Sequence, residues 1–411
     1  MAYNQAKAQL KRLDDSAQQA RWRRMIDLHQ QHFGQAQALY ALSAPGRAEI
    51  VGNHTDHNNG QVLAAAVNLD TAALVSPRED LQVRVFSDGY GWITLSLDQL
   101  TPGSQPPGTS AALIAGVAEG LVQRGYRVGG FEAVVSSDVL SGSGLSSSAA
   151  FEVLVCYLFD VLYNGATIDF VTRAQVGQYA ENTHFGKPSG LMDQMASSSG
   201  GLVAIDFGQA SPQVRAIPFS FMEAGYHMVI VNTGGSHDNL TDAYAAIPHE
   251  MKAAAAALGV GLLREAPFVR FLGSLSQVRA QAGDRAVLRA LHFYQENQRV
   301  QQAADALEAR RLDAFFEAVN ASGLSSETQL QNIHVHEQEQ PMALALALAR
   351  QVLQGQGACR VHGGGFAGTT LNFVPLARLD AFTQTMEALF GPGCCHSLDV
   401  RAQGPVRVFQ V

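Results

Sequence analysis

A strand-like run, a turn of alternating serine and glycine, and a long apolar helix follow one another without a linker in FEAVVSSDVLSGSGLSSSAAFEVLVCYLFDVLYN, residues 131–164. A chain built this way must lay that helix across a sheet, with the turn at the sheet's end. Gly142 and Gly144 let the backbone approach a partner closely. Ser146, Ser147 and Ser148 then open the helix, whose first amides lack intrahelical partners and carry partial positive charge. Two readings fit. One is a serine N-cap on a glycine turn. The other is an anion cradle made of Gly142, Ser143, Gly144, Leu145, Ser146, Ser147 and Ser148.

The chain's 411 residues are too many for one ordinary core, and a division near residue 210 gives two domains, 1–210 and 211–411. With 47% hydrophobic and 16% charged residues the chain reads as globular. A net charge of −8 argues against a broad nucleic-acid surface. No apolar run reaches the length of a membrane span, and the polar N-terminus lacks a signal-peptide pattern, so a cytoplasmic location without membrane contact is expected. The four cysteines form no C-x-x-C pair, which suggests a reduced protein without structural zinc. No coiled coil or other interface stands out, so the oligomeric state stays open, a monomer included.

Residues 1–35 read as one or two amphipathic helices, and VNLDTAALVSP, LQVRVFSD and GWITLSL as strands. SAALIAGVAEGLVQRG and DFVTRAQVGQYAENTHFG read as helices, GGLVAIDFG and YHMVIVNTGG as strands with a short mixed segment between them. Residues 240–354 are mostly helical; ACRVHGGGFAGTTLNFV then reads as a glycine turn between strands, followed by a helix and a final strand. Three nucleotide signatures fail. Gly186-Lys187 precedes Pro188 and is no Walker loop, Asp206–Gly208 lacks the other protein-kinase motifs, and Gly363, Gly365 and Gly368 precede a strand where a dinucleotide fold needs a helix.

Two further segments concentrate polar side chains. APGRAEIVGNHTDHNNG packs Arg47, Asn53, His54, Asp56, His57 and Asn58 between apolar runs, fit either to hydrogen-bond a polyol or to form a solvated turn. GKPSGLMDQMASSSGG sets Asp193 among small and apolar residues, where a carboxylate must be paired, used, or serve as an N-cap.

Together with HGGGFAGTT and Phe33-Gly34, these segments resemble the GHMP kinase superfamily and, within it, the galactokinase family, over roughly residues 30 to 375. The resemblance implies an α+β, two-domain GHMP kinase fold: an N-terminal domain like ribosomal protein S5 domain 2 and a ferredoxin-like C-terminal domain, with the active site between them. It implies ATP and Mg²⁺ as cofactors and phosphorylation of a hexose at its anomeric hydroxyl, foremost galactose to galactose 1-phosphate. By the same resemblance Asp193 matches the catalytic aspartate and Arg47 its partner. Glu181, twelve positions before Asp193, and Ser148 match the magnesium ligands. Asn53, His54, Asp56, Gly190 and Tyr244, which follows His237 at the family interval, match sugar-pocket positions.

The chain departs from the family pattern in four places. The family's glutamate is replaced by Asn53, while Glu49 stands where asparagine is usual, as though the two were exchanged. His57 replaces a common tyrosine and Ala367 a common glycine. The x-H-x-D-H form is also similar to plant galacturonate kinases. Alternatives are therefore a sugar-1-kinase for galacturonate or another sugar and, from another class, a weakly catalytic sugar- and ATP-binding sensor. A sterol-pathway or homoserine kinase shares the phosphate loop but not NHTDH.

Overall fold

The computed structural model describes residues 2–13, 15–139, 144–235, 240–334, 338–366 and 368–411. Among the described residues twelve strands run in chain order: β1 (Tyr40–Val51), β2 (Gln61–Pro77), β3 (Gln82–Ser87), β4 (Gly91–Ser96), β5 (Phe131–Ser137), β6 (Leu202–Asp206), β7 (Gln213–Ala216), β8 (Tyr226–Asn232), β9 (Ala358–Val361), β10 (Thr369–Pro375), β11 (Cys395–Leu398) and β12 (Val406–Gln410). They form two sheets, one of eight strands along β12-β1-β2-β5-β3-β4 with β6 and β7 branching from β2, and one of four strands ordered β11-β8-β10-β9. All pairings are antiparallel except β3 with β5.

β1 is buried on both faces, and its side chains alternate between two cores. Leu42 and Ala44 face the helices Ser110–Gln123 and Ser147–Tyr163 through Ile114, Val117, Val153 and Cys156. Ala41 faces the helix Ser16–Phe33, whose Trp22, Met25 and Ile26 fill the other side. That helix starts where it does because Asp15 caps it, its carboxylate accepting from the Ala17 amide at 2.7 Å.

The second sheet is covered on one face by the helices Pro341–Leu353 and Leu379–Phe390. Its other face joins a core shared with the first half: Met228, Ile230, Leu371 and Phe373 cluster with Ala48, Ile50, Leu63 and Ala65 and with the helices Asp284–Glu308 and Leu312–Ser325. This shared core holds the C-terminal ends of β1 and β9 against each other, which sets the place of the site.

The expected α+β class is present. The division at residue 210 follows the order of the chain, but β7 and β12 lie beyond it and pair into the first sheet with β6 and β1. Three local details differ from the sequence reading. The mixed segment contains β7, the single final strand is two, and the helix at Phe170–Tyr179 widens into a π-turn over Ala180–Phe185. Among the described residues no helix is long and apolar enough to cross a membrane.

Candidate active site

Three distant segments meet at Asp193, in the first turn of the helix Met192–Ser199. The Arg47 guanidinium, from β1, donates to Asp193 Oδ1 through Nε at 2.8 Å and pairs through Nη2 at 2.8 Å. Arg47 also donates to the Gly144 carbonyl, and its own amide to the Leu145 carbonyl at 3.2 Å. The Ser146 hydroxyl donates to the second Asp193 oxygen. Burial alone would raise the Asp193 carboxyl; Arg47, Ser146 and Lys187 outweigh it and hold the group below its ordinary 3.8. It is a carboxylate at neutral pH, half-buried, and reached by solvent from one side.

Ser146 sits at the N-cap of the helix Ser147–Tyr163 in left-handed backbone, φ 58°. Its hydroxyl is turned to Asp193, and it makes no side-chain capping bond. The first amides of that helix are thus left for another acceptor, which favours the anion cradle over the plain cap. Gly144, at φ 70°, closes the approach from the other side. A Cβ there would come within 2.9 Å of Thr369 Oγ1 and 3.0 Å of His362 Nδ1, on the strands flanking the late glycine turn. Gly142 and Ser143 of the cradle, like His237 and Ala367, lie outside the described residues.

In the first turn of the same helix, Ser148 donates to Glu181 Oε1 at 3.0 Å. Glu181 is buried, on the π-turn. Lys187 Nζ reaches the same oxygen at 2.9 Å, so a cation already sits at this carboxylate. Gln194 Nε2 bridges Glu181 Oε2 and Glu152 Oε2, 2.9 Å to each. Burial, and then the charge of Glu181, push the Glu152 carboxyl well above its ordinary range, which favours its neutral form.

The loop after β1 carries the polyol-binding positions. The His54 imidazole donates from Nε2 to the Gly364 carbonyl at 3.0 Å and lies 3.1 Å by Nδ1 from His57 Nε2. Burial, then His57, lower the His54 pKa to about 3, so the ring is neutral and Nδ1 accepts from His57. Asp56 Oδ1 accepts from the His57 amide at 3.0 Å. Tyr244 donates to the Gly365 carbonyl at 2.8 Å and packs edge-on against Phe366. Asn53 is fully buried. Its Nδ2 donates to Glu49 at 3.0 and 3.3 Å and to the Gly363 carbonyl at 2.7 Å, and its Oδ1 accepts from Asn332 at 2.8 Å and Ser326 at 3.3 Å.

Comparison with known proteins matches residues 27–77 to the galactokinase galactose-binding signature and residues 112–201 to the GHMP kinases N terminal domain. A galactokinase of Streptomyces coelicolor is 32% identical over 353 residues, 85% of this chain and 88% of its own. A galactokinase of Exiguobacterium sibiricum is 33% identical over 306 residues, 72% and 75% of the two chains. The chain belongs to the galactokinase family. It is a sugar kinase, a phosphotransferase whose phosphoryl donor is ATP. The Lactococcus lactis galactokinase, solved in complex with galactose, shares the fold with a TM-score of 0.82 at 24% identity over 93% of this chain and 98% of its own. A mevalonate kinase aligns less closely, with a TM-score of 0.62 at 13% identity over 88% and 99% of the two chains.

In this galactokinase-family chain the exchange of Glu49 and Asn53 has a structural meaning. The two side chains hydrogen-bond each other, so swapping them keeps the amide–carboxylate contact and moves the charge down β1. There Glu49 pairs with the fully buried Arg360 at 2.8 Å. Lys187, set aside with the failed Walker pattern, is a partner of Glu181 that the sequence reading missed; its place six residues after Glu181 was the available signal.

Gly190 packs directly on Asp56, and a Cβ at 190 would fall within the Asp56 carboxylate. Gly190→Ala is therefore expected to displace Asp56 and raise KM for the sugar about tenfold or more, with KM for ATP little changed, because a misplaced hydrogen-bonding group loses on the order of 1.5 kcal/mol. Initial-rate kinetics with each substrate varied in turn would show it.

Proposed function

We propose that the protein phosphorylates the anomeric hydroxyl of galactose with ATP, using Asp193 and Arg47 at the reacting hydroxyl and the serine-rich helix start for the phosphates. The observation that carries this reading is the meeting of Arg47, Ser146 and Asp193 at one point, with Ser148, two residues beyond Ser146, bonded to Glu181. Asp193, kept ionised by Arg47, orients the hydroxyl and takes its proton. Arg47 stabilises the charge of the transferring group. The backbone of Gly142, Ser143, Gly144, Leu145, Ser146 and Ser147 holds the phosphates in line, and phosphoryl transfer asks for little beyond such positioning and electrostatics. Asp56, His54, Gly190 and Tyr244 form the sugar wall. Asn53 stands behind them, and to touch the sugar itself it must give up a bond to the protein.

Ser148 and Glu181 suit a magnesium ion. Both offer hard oxygens and would hold it. The ion would offset the charge of the ATP phosphates. The residues here hold those two ligands ready, with Lys187 on Glu181.

A second reading takes a uronate such as galacturonate as acceptor. It is favoured by one observation: the carboxylate expected at position 53 stands at 49, tied to Arg360, so a neutral amide takes its place behind the two imidazoles. A turnover panel with ATP and galactose, galacturonate, glucose and arabinose tests both. Galactose is expected to give the highest kcat/KM, with the product phosphorylated at the anomeric carbon by NMR. A higher value for galacturonate would replace the first reading by the second, and no turnover of any aldose would reject both.

A further inference from the structure

The polar face of the helix Asp284–Glu308 is turned inward onto the loop that carries Asn53, His54 and Asp56. Glu296 is fully buried there. Its Oε1 accepts from the backbone amides of Gly52 at 2.9 Å and Asn53 at 3.3 Å and from the Ser322 hydroxyl at 2.5 Å. Its Oε2 accepts from Arg299 at 2.6 Å. One turn earlier His292 Nε2 donates to the Asn53 carbonyl at 2.9 Å. One residue later Asn297 Oδ1 accepts from the Gln61 amide at 2.6 Å, and Gln301 donates to the Gln61 side chain at 2.7 Å. The helix thus grips the loop's main chain where it leaves β1 and where it enters β2.

Burial opposes charge on Glu296, yet Arg299 and the surrounding cations and donors bring its carboxyl down to about 2. An ionised carboxylate on two consecutive loop amides makes stronger bonds than a neutral acceptor. None of these groups touches the sugar wall directly. They act on the main chain that aims Asp56, three residues beyond Asn53.

We propose that Glu296, aided by His292, is a positioning residue for the sugar acceptor: it fixes the backbone of residues 52–53 and thereby the direction of the Asp56 carboxylate. This rests on the reading of the loop as the sugar wall. Its signature is a defect in sugar affinity that spares the nucleotide, because the phosphate cradle and Asp193 are held by other elements.

Glu296→Gln keeps the shape and removes the charge. In the full chain it is expected to raise KM for galactose tenfold or more, with KM for ATP within twofold and kcat falling less than KM rises. A folded Glu296→Gln protein with an unchanged galactose KM, or with equal losses toward galactose and ATP, overturns the proposal. Asp56→Ala is the companion arm. If it leaves the galactose KM unchanged, the loop reading fails and the proposal with it; if it raises KM while Glu296→Gln does not, only the clamp fails. Should Glu296→Gln not fold, hydrogen exchange on the unaltered protein decides. The Gly52 and Asn53 amides are expected to be protected as well as those of β1, and exchange as fast as that of the exposed Asn59 overturns the clamp.

Discussion

Asp193→Asn is expected to lower kcat by about a thousandfold, near 4 kcal/mol of transition-state stabilisation, while KM for ATP changes by less than about threefold. Asparagine keeps the shape but neither accepts a proton nor balances Arg47. The amide oxygen can still accept from Arg47 and its NH2 can donate to the Ser146 hydroxyl, so the local packing is kept while the almost fully buried Arg47 loses its counter-charge. On the proposed reading ATP is held by the cradle and the metal ligands, so its binding is expected to survive. Single-turnover kinetics separate the two effects. A variant with near-normal kcat removes Asp193 from the chemistry. The pH behaviour follows from the same pair. Because the folded Asp193 pKa lies below its ordinary value, its contribution to stability is present above that ordinary value and is lost only as pH falls through the lowered one. Loss of its charge is therefore not expected to limit turnover between about pH 5 and 8.

Glu181→Gln is expected to lower kcat/KM for ATP at least about a hundredfold, near 2.7 kcal/mol, and to shift half-saturating magnesium upward. Two losses combine: a hard anionic ligand beside Ser148, and the charge that holds Lys187. Glutamine can still face Gln194 and Ser148, so the packing around the π-turn is kept. Circular dichroism and a melting curve check that point, and a magnesium titration of initial rates reads the effect. Half-saturation at the wild-type magnesium concentration would show that Glu181 does not hold the ion.

The three polar segments of the sequence converge in space because each lies at the end of a strong local signal. Arg47 lies within an apolar strand, Ser146–Ser148 open an apolar helix, and Asp193 stands in the first turn of a helix after a glycine. Such signals depend on period and turn chemistry, which a single sequence displays. What stayed hidden depends on long-range pairing. β7 is four residues of mixed polarity, and its pairing with β6 leaves no local period to find. The burial of Asn53 is set by Glu49, Gly363, Ser326 and Asn332, from three separate stretches. Glu296 and His292 look like solvent-facing residues of a long helix. Only their i, i+4 spacing, with Arg299 three residues on, marks a polar stripe that the fold turns inward. Lys187 was visible but was judged against the wrong motif.

The pairing of β12 with β1 bears on how the enzyme comes to be made. Tyr40 and Ala41 pair with Gln410 and Phe409, at the start of the strand that delivers Arg47. During synthesis that edge stays open until residues 406–410 have left the ribosome. The nascent first sheet must therefore wait, incomplete, until the chain has been translated past residue 410 before the arginine that serves Asp193 has its final support.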